Sequence, residues 1–186
     1  MSMRCTISVA FVVMLLNAAI SWAEPTPTAF PKGTITLQAY STYAAGLDDT
    51  GAELGAGNAG VGYFVWDNVS MSLEANAYAT REGDRSGTAY GVSGVLRQHL
   101  LAFDKFTLFA DVSFGPIEDT VRIPSGGTYF NFATRSGLGL TYHLHDHLYL
   151  MGGVRYFHLS NARIDGPARN PSINGIEGVL GVMWTL

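Results

Sequence analysis

Apolar and polar residues alternate with a period of two along most of this 186-residue chain. That period sends successive side chains to opposite faces of an extended strand. The clearest case is Ser70 to Arg81, where Met71, Leu73, Ala75, Ala77 and Ala79 oppose Ser72, Glu74, Asn76, Tyr78 and Thr80. The same reading predicts strands over about 34–43, 59–65, 89–101, 106–115, 129–144, 148–160 and 175–186. In the fourth of the eight, Tyr90, Val92, Leu96 and Leu100 oppose Ser93, Arg97 and His99, while Val95 and Leu101 break the alternation.

The connections alternate too. Trp66-Asp67-Asn68, Asp104-Lys105 and His145-Asp146-His147 read as tight turns, whereas 47–57, 82–87, 116–127 and the stretch after Ser160 read as longer, polar or Gly-rich loops. An even number of strands, with tight turns at one end and loops at the other, predicts an all-β fold: an eight-stranded antiparallel transmembrane barrel of the outer membrane. The tight turns belong on the periplasmic side and the loops outside the cell. A secreted β-sandwich is the competing class. The polar faces separate the two, because they carry Glu74, Asp111, Glu177, Arg97, Arg135 and Arg155. A sandwich core does not tolerate six ionisable residues, while a narrow lumen can pair them. Side chains fill a barrel of this size, which disfavours a diffusion channel.

The first residues fall outside this pattern. Arg4 is the only charge before Glu24, 7–20 is almost wholly apolar, and Ser21-Trp22-Ala23 supplies small residues at cleavage positions. This reads as a signal peptide, residues 1–23, ahead of a single barrel domain over 24–186. The chain's one cysteine, Cys5, lies inside that peptide, so the exported domain is expected to hold neither disulfides nor thiolate metal sites. With 22 glycines and 12% aromatics, composition agrees with an outer-membrane barrel. Acidic residues outnumber basic ones, 15 to 11, so nothing suggests nucleic-acid binding. The terminal Gly181-Val182-Met183-Trp184-Thr185-Leu186 resembles the assembly signal of outer-membrane proteins, although those usually end in an aromatic residue.

Candidate chemistry gathers in Arg155-Tyr156-Phe157-His158-Leu159-Ser160-Asn161-Ala162, followed by Asn170-Pro171-Ser172-Ile173-Asn174. His158 and Ser160 share a strand face with Leu148, Leu150, Gly152, Val154 and Tyr156, which is the lipid side of the predicted barrel. The plain reading is a strand end meeting water or headgroups. The alternative is a nucleophile, Ser160, beside a general base, His158, with an orienting group from another segment. A pair aimed outward at the membrane interface suits a substrate that is itself a lipid.

These residues resemble the lipid A 3-O-deacylase (PagL) family of acyloxyacyl hydrolases. His158-Leu159-Ser160-Asn161-Ala162 is similar to the family's His-x-Ser-Asn-Ala signature, and 170–174 resembles the Asn-centred segment that follows it. The resemblance implies an outer-membrane esterase that removes an ester-linked hydroxyacyl chain from the 3-position of lipid A, with Ser160 as nucleophile and His158 as base. It implies oxyanion donors at Asn161 and near Ala162 and Asn170, and neither metal nor cofactor. Lipid A, or lipopolysaccharide, and outer-membrane lipid are the implied partners; a homodimer stays open.

One departure stands out. Where the family pattern has Glu, this chain has Asn174, which leaves the third member open between Asn174 and Glu177. Arg163 and Arg169, with Arg81, Arg85 and Arg122, fall in or beside the outer loops and suit lipid phosphates. His99, His143, His145 and His147 are given no metal. The competing function is a non-catalytic barrel with structural, adhesive or lipid-binding duties, in which the missing Glu records lost activity.

Overall fold

In a computed structural model, which describes residues 29–47 and 51–186, eight strands close into an antiparallel barrel in simple chain order. They are β1 (Ile35–Gly46), β2 (Ala52–Trp66), β3 (Val69–Glu82), β4 (Arg85–Ala102), β5 (Phe106–Asp119), β6 (Phe130–His145), β7 (Leu148–Ser160) and β8 (Ile173–Thr185). β8 pairs with β1 to complete the cylinder, so no sheet edge is left open. The expected signal peptide, 1–23, lies outside the described residues.

Strands extend further at the outer end than the alternation predicts. β2 begins at Ala52, inside the stretch read as a loop, because the strands before and after it give its glycines a partner on both sides: Gly55 faces Tyr43 on β1 and Ala79 on β3. The predicted loop at 82–87 shrinks to a turn at Gly83-Asp84, with Gly83 in the left-handed region at φ 59°. β5 runs through Pro116 to Asp119; pairing with β4 lapses at Pro116, which has no N–H to donate, while Pro116 still faces Phe132 on β6. The parity break at Leu101 in β4 also has a cause. A bulge between His99 and Leu101 shifts the register and turns Leu101 outward.

The interior has three tiers. At the outer end an apolar cluster includes Leu54, Tyr78, Ile117, Phe157, Leu159 and Ile173, capped by Ile123 from the β5–β6 loop. Asn131 Nδ2 holds that loop by donating to the carbonyls of Ile123 (2.9 Å) and Thr128 (3.2 Å).

The middle tier is ionic. Asp111 accepts from Arg97 Nη2 at 3.0 Å and from Arg155 Nη2 at 2.7 Å, and Arg135 Nε lies 3.2 Å from Glu177 Oε1. Arg155 Nη1 approaches Glu177 Oε2 only to 3.7 Å, beyond hydrogen-bond reach. Glu74 is bonded to neutral donors, Gln38 Nε2 at 3.0 Å and the Tyr40 hydroxyl, rather than directly to an arginine. Gly137 makes room for this tier: a Cβ there would sit 2.7 Å from Arg155 Cγ.

The periplasmic tier contains a plug. Just ahead of β1, Phe30 turns into the barrel against Phe64 and His99, with ring centroids 5.0 and 4.5 Å apart. Asn68, at φ 61° in the β2–β3 turn, fixes it by accepting from the N–H groups of Ala29 and Phe30 through Oδ1.

Outside, Leu37, Leu73, Leu96, Leu138 and Leu180 form an exposed apolar band. Exposed Tyr90, Phe114, Phe130 and Tyr156 flank it above, and Trp66, Phe103, Phe106 and Trp184 below. Such paired aromatic girdles mark the two interfaces of a bilayer.

Candidate active site

The outer third of β7 sets the site. Phe157 and Leu159 point into the apolar tier and are fully buried, which obliges Tyr156, His158 and Ser160 to face outward. Across the sheet His158 lies between Thr134 on β6 and Asn174 on β8, each directly opposite it in register. Ser160 faces Phe132, whose ring stacks on Phe114 with centroids 5.2 Å apart. The site therefore sits level with the upper aromatic girdle, where membrane meets headgroups.

Three side chains join through the imidazole. His158 Nε2 is 3.0 Å from Ser160 Oγ, and Nδ1 is 2.8 Å from Asn174 Oδ1. Both lengths are ordinary hydrogen bonds. An amide oxygen can only accept, so Nδ1 carries a proton, and in the neutral imidazole the Nε2 lone pair faces the hydroxyl. That tautomer can take a proton from Ser160. The Tyr156 hydroxyl also donates to Asn174 Oδ1, at 2.6 Å. Ser160 is 9% exposed, while His158 and Asn174 are half-buried.

The turn after Ser160 carries backbone strain. Ala162 and Arg163 are consecutive non-glycine residues in the left-handed region, at φ 53° and 64°. Asn161 holds them. Its Oδ1 accepts from Arg163 N–H at 3.0 Å, and its Nδ2 donates to Thr128 Oγ1 at 3.1 Å and to Arg169 C=O at 2.7 Å. Both amide hydrogens are thus engaged within the protein, and the side chain, read from sequence as an oxyanion donor, serves as a clamp between two loops. No sequence signal pointed to Thr128, which comes from the β5–β6 loop.

The remaining candidates divide by position. Glu177 lies on the opposite face of β8 from Asn174, 1% exposed and engaged with Arg135 and Arg155, so it has no path to His158. Asn170 is half-buried, and its Oδ1 has no partner among the described residues. Arg163 and Arg169 are exposed on the loop that follows the nucleophile candidate. Arg85 is paired with Glu82, Arg81 Nε donates to Gly83 C=O, and Arg122 lies over the Tyr129 ring. Among the described residues, no group of three or more His, Cys, Asp or Glu side chains is arranged to hold a metal.

Comparison with known proteins agrees with this architecture. A family model described as lipid A 3-O-deacylase (PagL) matches residues 22–183. The outer membrane enzyme PagL superposes with a TM-score of 0.63 at 18% identity, covering 77% of this chain and 97% of that one. Neisserial surface protein A follows at 0.60 and 14% identity, covering 83% and 99%. The N-terminal β-barrel domain of Pseudomonas aeruginosa OprF gives 0.50 at 16%, covering 84% and 100%. At such identities these structures support the barrel alone. No curated protein matches the chain. The family match, the barrel and its two aromatic girdles place the protein as an integral component of the outer membrane. The chain belongs to the lipid A 3-O-deacylase (PagL) family.

Proposed function

We propose that the protein is an esterase that removes an ester-linked hydroxyacyl chain from the 3-position of lipid A, with Ser160 as nucleophile, His158 as general base and Asn174 as the group that orients His158. The observation that supports it most is the imidazole bridging Ser160 Oγ and Asn174 Oδ1 on the lipid-facing side of β7. An outward pair at the girdle meets the ester of an outer-leaflet lipid without extracting it from the membrane.

In this reading Ser160 Oγ attacks the acyl carbonyl as its proton passes to His158 Nε2. The tetrahedral intermediate collapses when the imidazolium returns that proton to the departing sugar oxygen, leaving the acyl group on Ser160. Water, deprotonated by His158, then releases the hydroxy fatty acid and regenerates the serine. With the Asn161 amide committed to the loops, oxyanion donors are left to backbone N–H groups of the strained turn, Ala162 among them, and to Asn170. In the same reading, Arg163 and Arg169 meet the phosphates of that lipid. All three central groups come from β7 and β8 of one chain, so the reading requires no second copy.

Mass spectrometry of lipid A from a host lacking deacylases tests it. Expression of the chain is expected to remove one 3-linked hydroxyacyl group, and Ser160→Ala or His158→Ala to lower that conversion at least about 10³-fold. Intact lipid A with the unaltered chain folded in the membrane would instead favour a non-catalytic barrel.

A further inference from the structure

Replacing a triad carboxylate by an amide has a specific hazard. An amide can present either its oxygen or its NH₂ to the imidazole. If NH₂ faces Nδ1, the ring proton moves to Nε2, which then donates to the serine and cannot act as a base. In a serine protease triad this wrong tautomer costs about 10⁴ in rate. A carboxylate has no such alternative. A site built on Asn174 therefore needs something to hold the amide the right way round.

We propose that Tyr156 is that positioning residue: by donating its hydroxyl hydrogen to Asn174 Oδ1, it keeps the amide oxygen toward His158 and the imidazole in its proton-accepting tautomer. The inference rests on the esterase reading above. Its geometric basis is the convergence of two donors on one oxygen, Tyr156 Oη at 2.6 Å and His158 Nδ1 at 2.8 Å. A phenol donates more readily than it accepts, because its lone pair is partly delocalised into the ring, so the hydroxyl favours oxygen over NH₂ at that point.

The sheet register makes the contact. His158 lies directly opposite Asn174, and Tyr156 opposite Ile176, so Tyr156 reaches Asn174 along the diagonal, a span within range of an aromatic side chain. The backbone of Asn174 is fixed independently, its carbonyl accepting from Leu47 N–H at 2.7 Å. A tyrosine here also serves as a girdle aromatic. Phenylalanine would fill that role nearly as well, which makes the hydroxyl separately testable.

The experiment uses the full barrel in detergent micelles with lipid A as substrate. Tyr156→Phe is expected to lower kcat about tenfold with KM within about twofold, the scale of one hydrogen bond. In the Asn174→Asp background, where no amide can flip, the same change is expected to cost less than about twofold. Nitrogen-15 NMR of the His158 ring, which needs no turnover, is expected to show the Nδ1–H form in the unaltered protein and a shift towards Nε2–H in Tyr156→Phe. Equal losses in both backgrounds, or an unchanged tautomer, would overturn the role of Tyr156. Turnover persisting in Ser160→Ala would overturn the esterase reading instead, and the tautomer would still decide the case for Tyr156.

Discussion

Asn174 and Glu177 stand three residues apart on β8 and inhabit opposite chemical worlds. Glu177 faces inward, out of reach of solvent, with Arg135 and Arg155 beside it. Asn174 faces outward at the membrane interface, with Tyr156 and His158 donating to its single oxygen. Inside, charge is met by charge, because a lone ion there would be costly. Outside, a neutral amide is oriented by the two groups that donate to its oxygen. The acid nearest in sequence to Asn174 is thus a structural ion, and the group in contact with the histidine carries no charge. Strand parity, more than residue type, assigns the roles.

The interior half of that comparison can be broken most severely at Asp111, which accepts from both Arg97 and Arg155. Asp111→Ala leaves two buried guanidinium groups without their shared carboxylate and is expected to cost about 3–5 kcal/mol of barrel stability, measured as urea unfolding in lipid vesicles. A stability change below about 1 kcal/mol would mean that water already solvates this tier.

A subtler break contrasts the two β8 residues directly. Asn174→Ala is expected to lower kcat at least about tenfold with little change in the unfolding midpoint. Glu177→Gln is expected to do the reverse, lowering the midpoint while the folded fraction keeps its kcat within a few-fold. If both variants lost kcat alike, the inner and outer faces would be coupled and the division by parity would fail.

The smallest effect belongs to the rim. Replacing Arg163 and Arg169 together by Ala is expected to weaken lipopolysaccharide binding about three- to tenfold in low salt, with the difference fading at high salt because exposed charges are screened. Unchanged affinity in low salt would leave these two arginines as solvated loop charges.

Some of this was legible in the alternation alone. The face shared by His158 and Ser160, the inward set of six ionisable residues and the tight periplasmic turns all follow from a period of two. The outer strand ends did not, because the glycines of β2 look like loop until β1 and β3 supply a partner on each side. Leu101 looked like an error of pattern until the bulge after His99 explained it. The clamp from Asn161 to Thr128 joins residues 33 apart through two loops, and loops carry no period to read.

By itself, the sequence determined which side chains share a face, since alternation along a strand is a local property of the backbone. That was enough to put an imidazole and a hydroxyl on the lipid side of one strand, and Glu177 on the other side of its neighbour. Only the tertiary structure decided what meets them. The register of β7 on β8 set Asn174 opposite His158 and brought Tyr156 within reach of the same oxygen. Register is the joint outcome of eight strands closing into one cylinder, and no single segment encodes it.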